Sequence, residues 1–184
     1  DGQGRLWCWL HRVESGMINH SESGCSVIQD KMNEAVSKGF FAGGSILVSV
    51  WGEKICQANA GFSNLFKGTR IERDTVFDLA SLTKPLATAT CMMWMVGEGK
   101  IGIKERLKDI LPDFCGPTGD ISLLDLLCHK SGFPAHRPYY KILSLVPASD
   151  RRALLRDLLI KEPLEYGPGE KTVYSDLGFM VLRM

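Results

Sequence analysis

The sequence predicts an α/β fold, in which an antiparallel sheet is flanked by helices and joined to a mostly helical region. Two apolar stretches at 44–51 and 55–62 are separated by a glycine-containing turn, which is typical of a β-hairpin. Apolar residues recur at helical spacing along 82–97 and 149–161, which predicts amphipathic helices. Hydrophobic residues make up 45% of the 184 positions, which suffices for a globular core.

The first predicted element is an amphipathic helix over 25–40. Its apolar residues lie at helical spacing, so they share one face. The hairpin follows, and its turn is predicted at Gly52-Glu53-Lys54, where glycine favours a chain reversal. The apolar face of the helix consists of Val27, Ile28, Met32, Ala35 and Val36.

Later helices carry sequence signals at their ends. Ser122 and Asp125 have the spacing of a capping box, which predicts that a helix begins there. Its predicted stop is Ser131-Gly132, because glycine commonly follows the last helical turn. Another helix is predicted over 149–161, with a buried side made by Leu154, Leu155, Leu158 and Leu159.

Composition and charge exclude several classes of partner. Charged residues form 23% of the chain and sum to a formal net charge of +1, so neither a nucleic-acid partner nor membrane-surface binding is predicted. No signal peptide and no apolar run of membrane-spanning length is visible, which predicts a cytoplasmic protein. Residues 1–16 lack helical and strand periodicity, and we expect an unstructured or non-native leader before a domain over 17–184.

The cysteines and histidines do not have the spacing of a metal site. No CxxC pair occurs, so we predict no metal and no cofactor, and we expect the cysteines to be mostly reduced. Cys128 precedes His129, but neighbours on a helix do not face each other, so a buried cysteine is predicted rather than a nucleophile. His129, His136 and His20 are expected in the core or in loops, while residues 136–140 follow a turn and are candidates for substrate contact. The cysteines are Cys8, Cys25, Cys56, Cys91, Cys115 and Cys128.

The tetrad Ser81-Leu82-Thr83-Lys84 is typical of a nucleophilic serine with an activating lysine. A serine hydroxyl is a poor nucleophile at neutral pH, so a neighbouring group must accept its proton. Residues three apart share a helix face, and the Lys84 side chain can therefore reach the Ser81 hydroxyl. Pro85 is tolerated within the first helical turn, where the helix N-terminus also favours a developing oxyanion. Taken alone, this short pattern better fits a Ser81 N-cap followed by a solvated Lys84.

A second motif, Tyr-Ser-Asp at 174–176, follows a turn-rich loop at 165–170 and precedes another apolar helical run. With the serine tetrad and the string at 127–134, it closely resembles the serine beta-lactamase and penicillin-recognising hydrolase superfamily. The resemblance is strongest to the branch that holds class C beta-lactamases, D-aminopeptidases and related carboxylesterases. It covers about residues 32–184, and three motifs in the right order are far more specific than one.

The resemblance implies that Ser81 is the acylated nucleophile, Lys84 its partner, and Tyr174 the general base or a proton relay. A nearby lysine cation lowers the pKa of a phenol, so Tyr174 could accept a proton and later activate a water. Asp176 is the predicted substrate-binding residue, and it stands where the lactamases usually carry asparagine. A carboxylate only accepts hydrogen bonds, so Asp176 would hold Lys84 charged, leave the base role to Tyr174 and favour esters. Asp176 equally fits the N-cap of a helix over 177–182.

The third element of the family, a Lys/His-Thr-Gly strand after the tyrosine motif, is not found before Met184. The nearest string, at 171–173, lacks the glycine and precedes Tyr174. We therefore expect 17–184 to be the N-terminal part of a beta-lactamase-related serine hydrolase domain, with its C-terminal strands missing. The predicted function is hydrolysis of small esters or amides through a Ser81 acyl ester. The alternatives are a beta-lactamase or D-amino-acid peptidase, and a catalytically inert penicillin-binding-like fragment. The predicted partner is a small-molecule ester, amide or beta-lactam substrate, and the oligomeric state stays open.

Overall fold

The computed structural model describes residues 22–184, and the chain divides into two compact units at the boundary between Phe77 and Asp78. The first unit contains an antiparallel sheet and a helix, and the second is mainly helical. The predicted α/β fold with an antiparallel sheet is thereby confirmed. The leader predicted at 1–16 and the domain start at Met17 lie outside the described residues.

The first unit contains the predicted hairpin. Its elements in chain order are α1 (Glu22–Ser37), β1 (Gly43–Val50), β2 (Glu53–Asn64) and β3 (Thr69–Arg70). β1 and β2 pair antiparallel, from Gly43 opposite Gly61 to Val50 opposite Glu53. The short β3 pairs with β2 on its other side, which gives the strand order β1-β2-β3.

The hairpin reverses at Trp51 and Gly52, earlier than the sequence predicted. Both residues have a positive φ, 53° and 86°, which matches the twist of two-residue hairpin turns. Val50 pairs with Glu53, so Glu53 and Lys54 belong to β2 and not to the turn.

The core of the first unit lies between α1 and β2. Alternate residues of β2, Cys56, Ala58 and Ala60, are buried, as expected for a strand with one face covered by a helix. The small alanine side chains leave room for Met32 of α1, which is also buried. Val27 was predicted on the apolar face but is 58% exposed, because the row that contacts the sheet runs at intervals of four residues. That row is Ile28, Met32 and Val36.

A disulfide between Cys25 and Cys56 joins α1 to β2, with the two Cα atoms 5.3 Å apart. The expectation of reduced cysteines is wrong for this pair, because the packing of α1 on β2 brings together residues 31 positions apart. Cys91, Cys115 and Cys128 are free and exposed. The prediction that Cys128 is buried is therefore wrong, since the apolar face of its helix ends before it.

The second unit is built from short helical elements around one apolar core. None of the helices that the structure describes is long and apolar enough to span a membrane. The helix predicted over 149–161 is present with slightly shorter bounds. In chain order the elements are a 3₁₀ turn (Ala80–Leu82), a π-helical turn (Lys84–Ala89), α2 (Thr90–Gly97), α3 (Leu107–Ile110), α4 (Gly116–Gly119), α5 (Leu123–Leu127), α6 (Tyr139–Leu143), α7 (Arg151–Ile160) and α8 (Asp176–Leu182).

The core of the second unit anchors α8. Leu177 and Val181 are buried, and they belong to one cluster with Leu126 of α5 and Leu159 of α7. Burying a side chain of this size contributes about 1.5–3 kcal/mol, so the cluster fixes α8 in place. Because Asp176 is the first residue of α8, the core also fixes where that carboxylate lies. The remaining buried members are Leu107, Phe114, Ile121, Leu123, Phe133, Tyr139 and Leu182.

The start of α5 follows the sequence prediction. Ser122 Oγ accepts a hydrogen bond from the Asp125 N–H, and the Asp125 carboxylate accepts one from the Ser122 N–H, which completes a capping box. The helix ends at Leu127, before the stop predicted at 131–132. His129 explains the difference, because its positive φ of 57° is incompatible with a right-handed helix.

We expect Cys56→Ser to destabilise the first unit. The disulfide joins residues 31 positions apart, and its loss should lower the free energy of unfolding by about 3 kcal/mol. Urea unfolding with and without reductant measures this difference, and Cys91→Ser, which removes an exposed free thiol, is the matched control. If the urea midpoint of the wild-type protein were the same with and without reductant, the Cys25–Cys56 disulfide would be contradicted.

Candidate active site

Ser81 lies in the 3₁₀ turn that precedes the longer helical elements. The turn is closed by the Leu82 N–H, which donates to the Leu79 carbonyl at 2.8 Å. Ala80 has a positive φ of 44°, which is unfavourable for a residue with a Cβ. The Asp78 carboxylate supports this backbone, since it accepts a hydrogen bond from the Ala80 N–H at 2.8 Å. The backbone therefore presents an exposed serine at the entry to the helical segment.

The helix predicted over 82–97 changes its hydrogen-bond pattern just after the serine. Its first part is the wider π-helical turn Lys84–Ala89, a form that is frequent at functional sites. Pro85 occupies the start of this turn, where its missing N–H does little harm. The Thr90 hydroxyl donates to the Pro85 carbonyl at 2.9 Å, which supports the wider geometry.

The Lys84 ammonium connects the two sequence motifs. Its Nζ lies 3.1 Å from Ser81 Oγ and 2.7 Å from Asp176 Oδ1. The same atom lies 5.0 Å from the ring centroid of Tyr174 and 5.9 Å from that of Phe179, within the range of cation–π attraction. The structure thus brings together all four residues that the sequence singled out, and it adds Phe179.

Backbone hydrogen bonds hold the segment that carries Tyr174. The N–H groups of Val173 and Asp176 donate to carbonyls of the 129–135 segment, each at 2.9 Å. These bonds lie on both sides of Tyr174, so they fix its backbone while the side chain remains 52% exposed.

The 129–135 segment also meets the loop before the tyrosine. The Glu165 N–H donates to the Gly132 carbonyl at 2.9 Å. Gly132 has a φ of 85°, and a Cβ there would lie 2.2 Å from the Tyr166 carbonyl oxygen. Only glycine permits this close approach of the two segments.

Ser175, and not Asp176, is the N-cap of α8. Ser175 Oγ accepts a hydrogen bond from the Gly178 N–H at 3.3 Å and donates to the Pro134 carbonyl at 2.7 Å. The serine is 1% exposed, so both bonds satisfy a buried hydroxyl. The alternative that Asp176 is the cap is therefore wrong, and its carboxylate pairs with Lys84 instead.

These contacts shift the pKa values of three groups. Burial disfavours the Lys84 ammonium, but hydrogen bonds with Asp176 and Tyr174 and the carboxylate charge outweigh it, and the lysine pKa is raised above 10.5. The hydrogen bond from Lys84 lowers the pKa of Asp176 below 3.8. The Ser81 hydroxyl, followed by the Lys84 ammonium, lowers the pKa of Tyr174 below 10.0. Lys84 and Asp176 are therefore an ion pair at neutral pH.

His129 contacts the tyrosine, and the sequence analysis missed this. Its ring centroid lies 4.5 Å from that of Tyr174, and its Nδ1 accepts a hydrogen bond from the Ser175 N–H at 3.1 Å. The available signal was the place of His129 in the 127–134 string. A string cannot show which ring a side chain touches, because that depends on the meeting of two distant segments.

His136 lies at the other side of the ion pair. Its Nδ1 is 3.5 Å from Asp176 Oδ2, and its side chain is largely exposed. Of the 136–140 candidates for substrate contact, His136 thus lies beside a predicted site residue. Tyr139 does not, since it is buried and donates its hydroxyl to Glu162.

The converging side chains have the chemistry of proton transfer. Serine hydroxyl, lysine ammonium, phenol and carboxylate together can remove a proton from the serine oxygen and stabilise the charge that develops. Among residues 22–184, no group of three or more His, Cys, Asp or Glu side chains is arranged to hold a metal ion.

Comparison with known proteins points to one family. The family model described as Beta-lactamase matches residues 28–184. An N-acetylmuramyl-L-alanine amidase of Bacillus subtilis (strain 168) is 34% identical in an alignment of 170 positions, which covers 83% of this chain and 38% of that protein.

Solved structures share the fold. A class C beta lactamase superposes with a TM-score of 0.72 at 23% identity, over 91% of this chain and 45% of that one. A beta-lactamase/D-alanine carboxypeptidase from Pseudomonas syringae gives a TM-score of 0.67 at 23% identity, over 85% of this chain and 42% of that one. This chain therefore spans less than half the length of each of these relatives.

We expect Asp176→Asn to remove part of the acid sensitivity of folding. The pKa of Asp176 is lowered by Lys84, so the stability that it contributes is complete above its ordinary value of 3.8 and is lost as pH falls through the lowered one. The melting temperatures of wild type and variant should therefore differ by a constant gap near neutral pH, and the gap should narrow below about pH 3.8. Asp157→Asn, which changes an exposed carboxylate on α7, is the control and should keep the wild-type pH dependence. A gap that is independent of pH would contradict the ion pair.

Proposed function

Because the chain belongs to the beta-lactamase family, we propose that it carries the nucleophile of a serine hydrolase, with Ser81 forming an acyl ester during turnover. One observation supports this most strongly. The Lys84 ammonium lies 3.1 Å from Ser81 Oγ and is held at 2.7 Å by the Asp176 carboxylate. A nucleophile within hydrogen-bond reach of a partner that is itself oriented by a third group is typical of covalent catalysis.

Tyr174 is the proposed general base. The raised pKa of Lys84 keeps it protonated, so it has no lone pair with which to accept the serine proton. The pKa of Tyr174 is lowered, which increases the fraction of Tyr174 that is phenolate at a given pH. The ammonium also stabilises both the phenolate and the alkoxide that develops on Ser81.

The reaction then has two balanced halves. Ser81 Oγ bonds to the acyl carbon and loses its proton to the Tyr174 phenolate, which passes it to the leaving alcohol or amine as that bond breaks. A water then attacks the acyl ester and gives a proton to Tyr174, and the Ser81 oxygen recovers the proton as the acid departs. Water is the only co-reactant that these steps consume.

Small esters or amides are the proposed substrates. Asp176 stands where the lactamases usually carry asparagine and offers only acceptor atoms, so it would bind the side-chain amide of a beta-lactam less well than an asparagine that can also donate. Hydrolysis of beta-lactams or D-amino-acid peptides is the second candidate, supported by the structural neighbour named as a beta-lactamase/D-alanine carboxypeptidase.

We expect a fluorophosphonate probe to form a covalent adduct on Ser81 in the intact protein, located by mass spectrometry of its peptides. Ser81→Ala should abolish the adduct, and both Ser81→Ala and Lys84→Ala should lower the turnover of a p-nitrophenyl ester by about 10⁴-fold. The melting curve of Ser81→Ala should stay near wild type, whereas that of Lys84→Ala should shift because the variant removes the ion pair with Asp176. Ser144→Ala, which removes an exposed hydroxyl outside the cluster, is the control and should label and turn over normally.

A variant that carries both Ser81→Ala and Lys84→Ala tests whether the two residues act together or independently. If Ser81 and Lys84 act together, the double variant should be barely slower than either single variant. Equal labelling or ester turnover in Ser81→Ala would show that another residue is the nucleophile.

A further inference from the structure

We propose that His129 is a positioning residue, which holds the Tyr174 phenol in reach of Ser81 through ring contact and through the Ser175 N–H. This role rests on the proposed function, since it presupposes that Tyr174 is the base. His129 would then be a fourth residue needed for the reaction, after Ser81, Lys84 and Tyr174. It would act through the base Tyr174.

Three contacts join His129 to the tyrosine and to both of its neighbours. The two rings lie 4.5 Å apart between centroids, with an angle of 35° between their planes. After the tyrosine, the Ser175 N–H donates to His129 Nδ1 at 3.1 Å. Before it, the Val173 N–H donates to the His129 carbonyl at 2.9 Å. One residue therefore restrains both the backbone and the exposed ring of Tyr174.

His129 is itself firmly placed. Its φ of 57° turns the chain sharply out of α5, and histidine and asparagine tolerate this conformation better than most residues. Its ring also contacts Phe179 of α8, with centroids 5.1 Å apart. The imidazole thus contacts two aromatic rings, those of Tyr174 and Phe179.

The geometry requires a neutral imidazole. The Ser175 N–H can donate only to a ring nitrogen without a proton, so the proton of His129 resides on Nε2. Burial, followed by the Lys84 charge, lowers the pKa of His129 below 6.5, against a smaller opposing effect of the Asp176 charge. The ring of Tyr174 also contacts the imidazole. Protonation of Nδ1 would remove the acceptor and add a second cation near Lys84.

Two substitutions separate the acceptor atom from the ring. His129→Asn keeps an acceptor oxygen near the position of Nδ1 and tolerates the positive φ, but it has no aromatic ring. His129→Phe keeps a ring and loses the acceptor. Lys130→Ala, at the adjacent exposed residue, is the matched control.

We expect His129→Phe to slow Ser81 labelling and to lower kcat for a p-nitrophenyl ester by about 10²-fold, with little change in KM, because a misplaced base affects the chemical step. His129→Asn should recover about tenfold of that loss. Tyrosinate absorbance, with the Tyr174 contribution taken from a Tyr174→Phe difference, should show the Tyr174 pKa returning towards 10.0 in His129→Phe and remaining lower in His129→Asn. Lys130→Ala should match wild type in each measurement.

The outcomes keep the two proposals apart. Absence of any Ser81 adduct in the wild type would overturn the proposed function, while the Tyr174 titration would still test His129. Unchanged labelling and titration in His129→Phe would overturn the positioning role, as would equal impairment of both variants with wild-type melting curves.

The wild-type protein gives a test that needs no variant. The ¹⁵N chemical shifts of the His129 ring must show Nδ1 without a proton at neutral pH, and a protonated Nδ1 overturns the proposal.

Discussion

The ion pair between Lys84 and Asp176 is the interaction on which the arrangement of the reactive groups depends. It joins residues that lie 92 positions apart and connects the π-helical turn after Ser81 to the first residue of α8. The lysine side chain is 16% exposed, so burial disfavours its ammonium and the Asp176 carboxylate stabilises it. Asp176 thereby favours the charged form of Lys84, which contacts Ser81 and, after the Ser81 hydroxyl, contributes to the lowered pKa of Tyr174.

The scaffold of the second unit supplies the precision that this pair requires. The apolar cluster around Leu177 and Val181 fixes α8, and the buried cap at Ser175 fixes where that helix begins. The 129–135 segment then binds the backbone on both sides of Tyr174, and Gly132 permits its close approach to the preceding loop. Stability and site geometry are therefore coupled, because the same core and the same hydrogen bonds determine both.

Local signals in the sequence predicted much of this arrangement. The spacing of three residues predicted that Lys84 reaches Ser81, the capping box predicted the start of α5, and the glycine turn predicted the hairpin. Each of these three features depends on residues a few positions apart, whose relative placement is set by the local backbone geometry. The Cys25–Cys56 disulfide and the contact of His129 with Tyr174 depend instead on how distant segments pack. Ser175 and Asp176 are both good capping residues. Ser175 is the cap because its hydroxyl donates to the Pro134 carbonyl and the Asp176 N–H donates to the Ala135 carbonyl.

The protonation state of Lys84 is the central physical claim, and an NMR titration with labelled lysine and tyrosine side chains measures it directly. The side-chain resonances of Lys84 and Tyr174 are assigned from Lys84→Arg and Tyr174→Phe and followed as pH rises. We predict that Tyr174 loses its proton below its ordinary pKa of 10.0 while Lys84 stays protonated beyond 10.5. A Lys84 that deprotonates before Tyr174 would contradict the account, because the lysine would then be the base and Asp176 would not hold its charge.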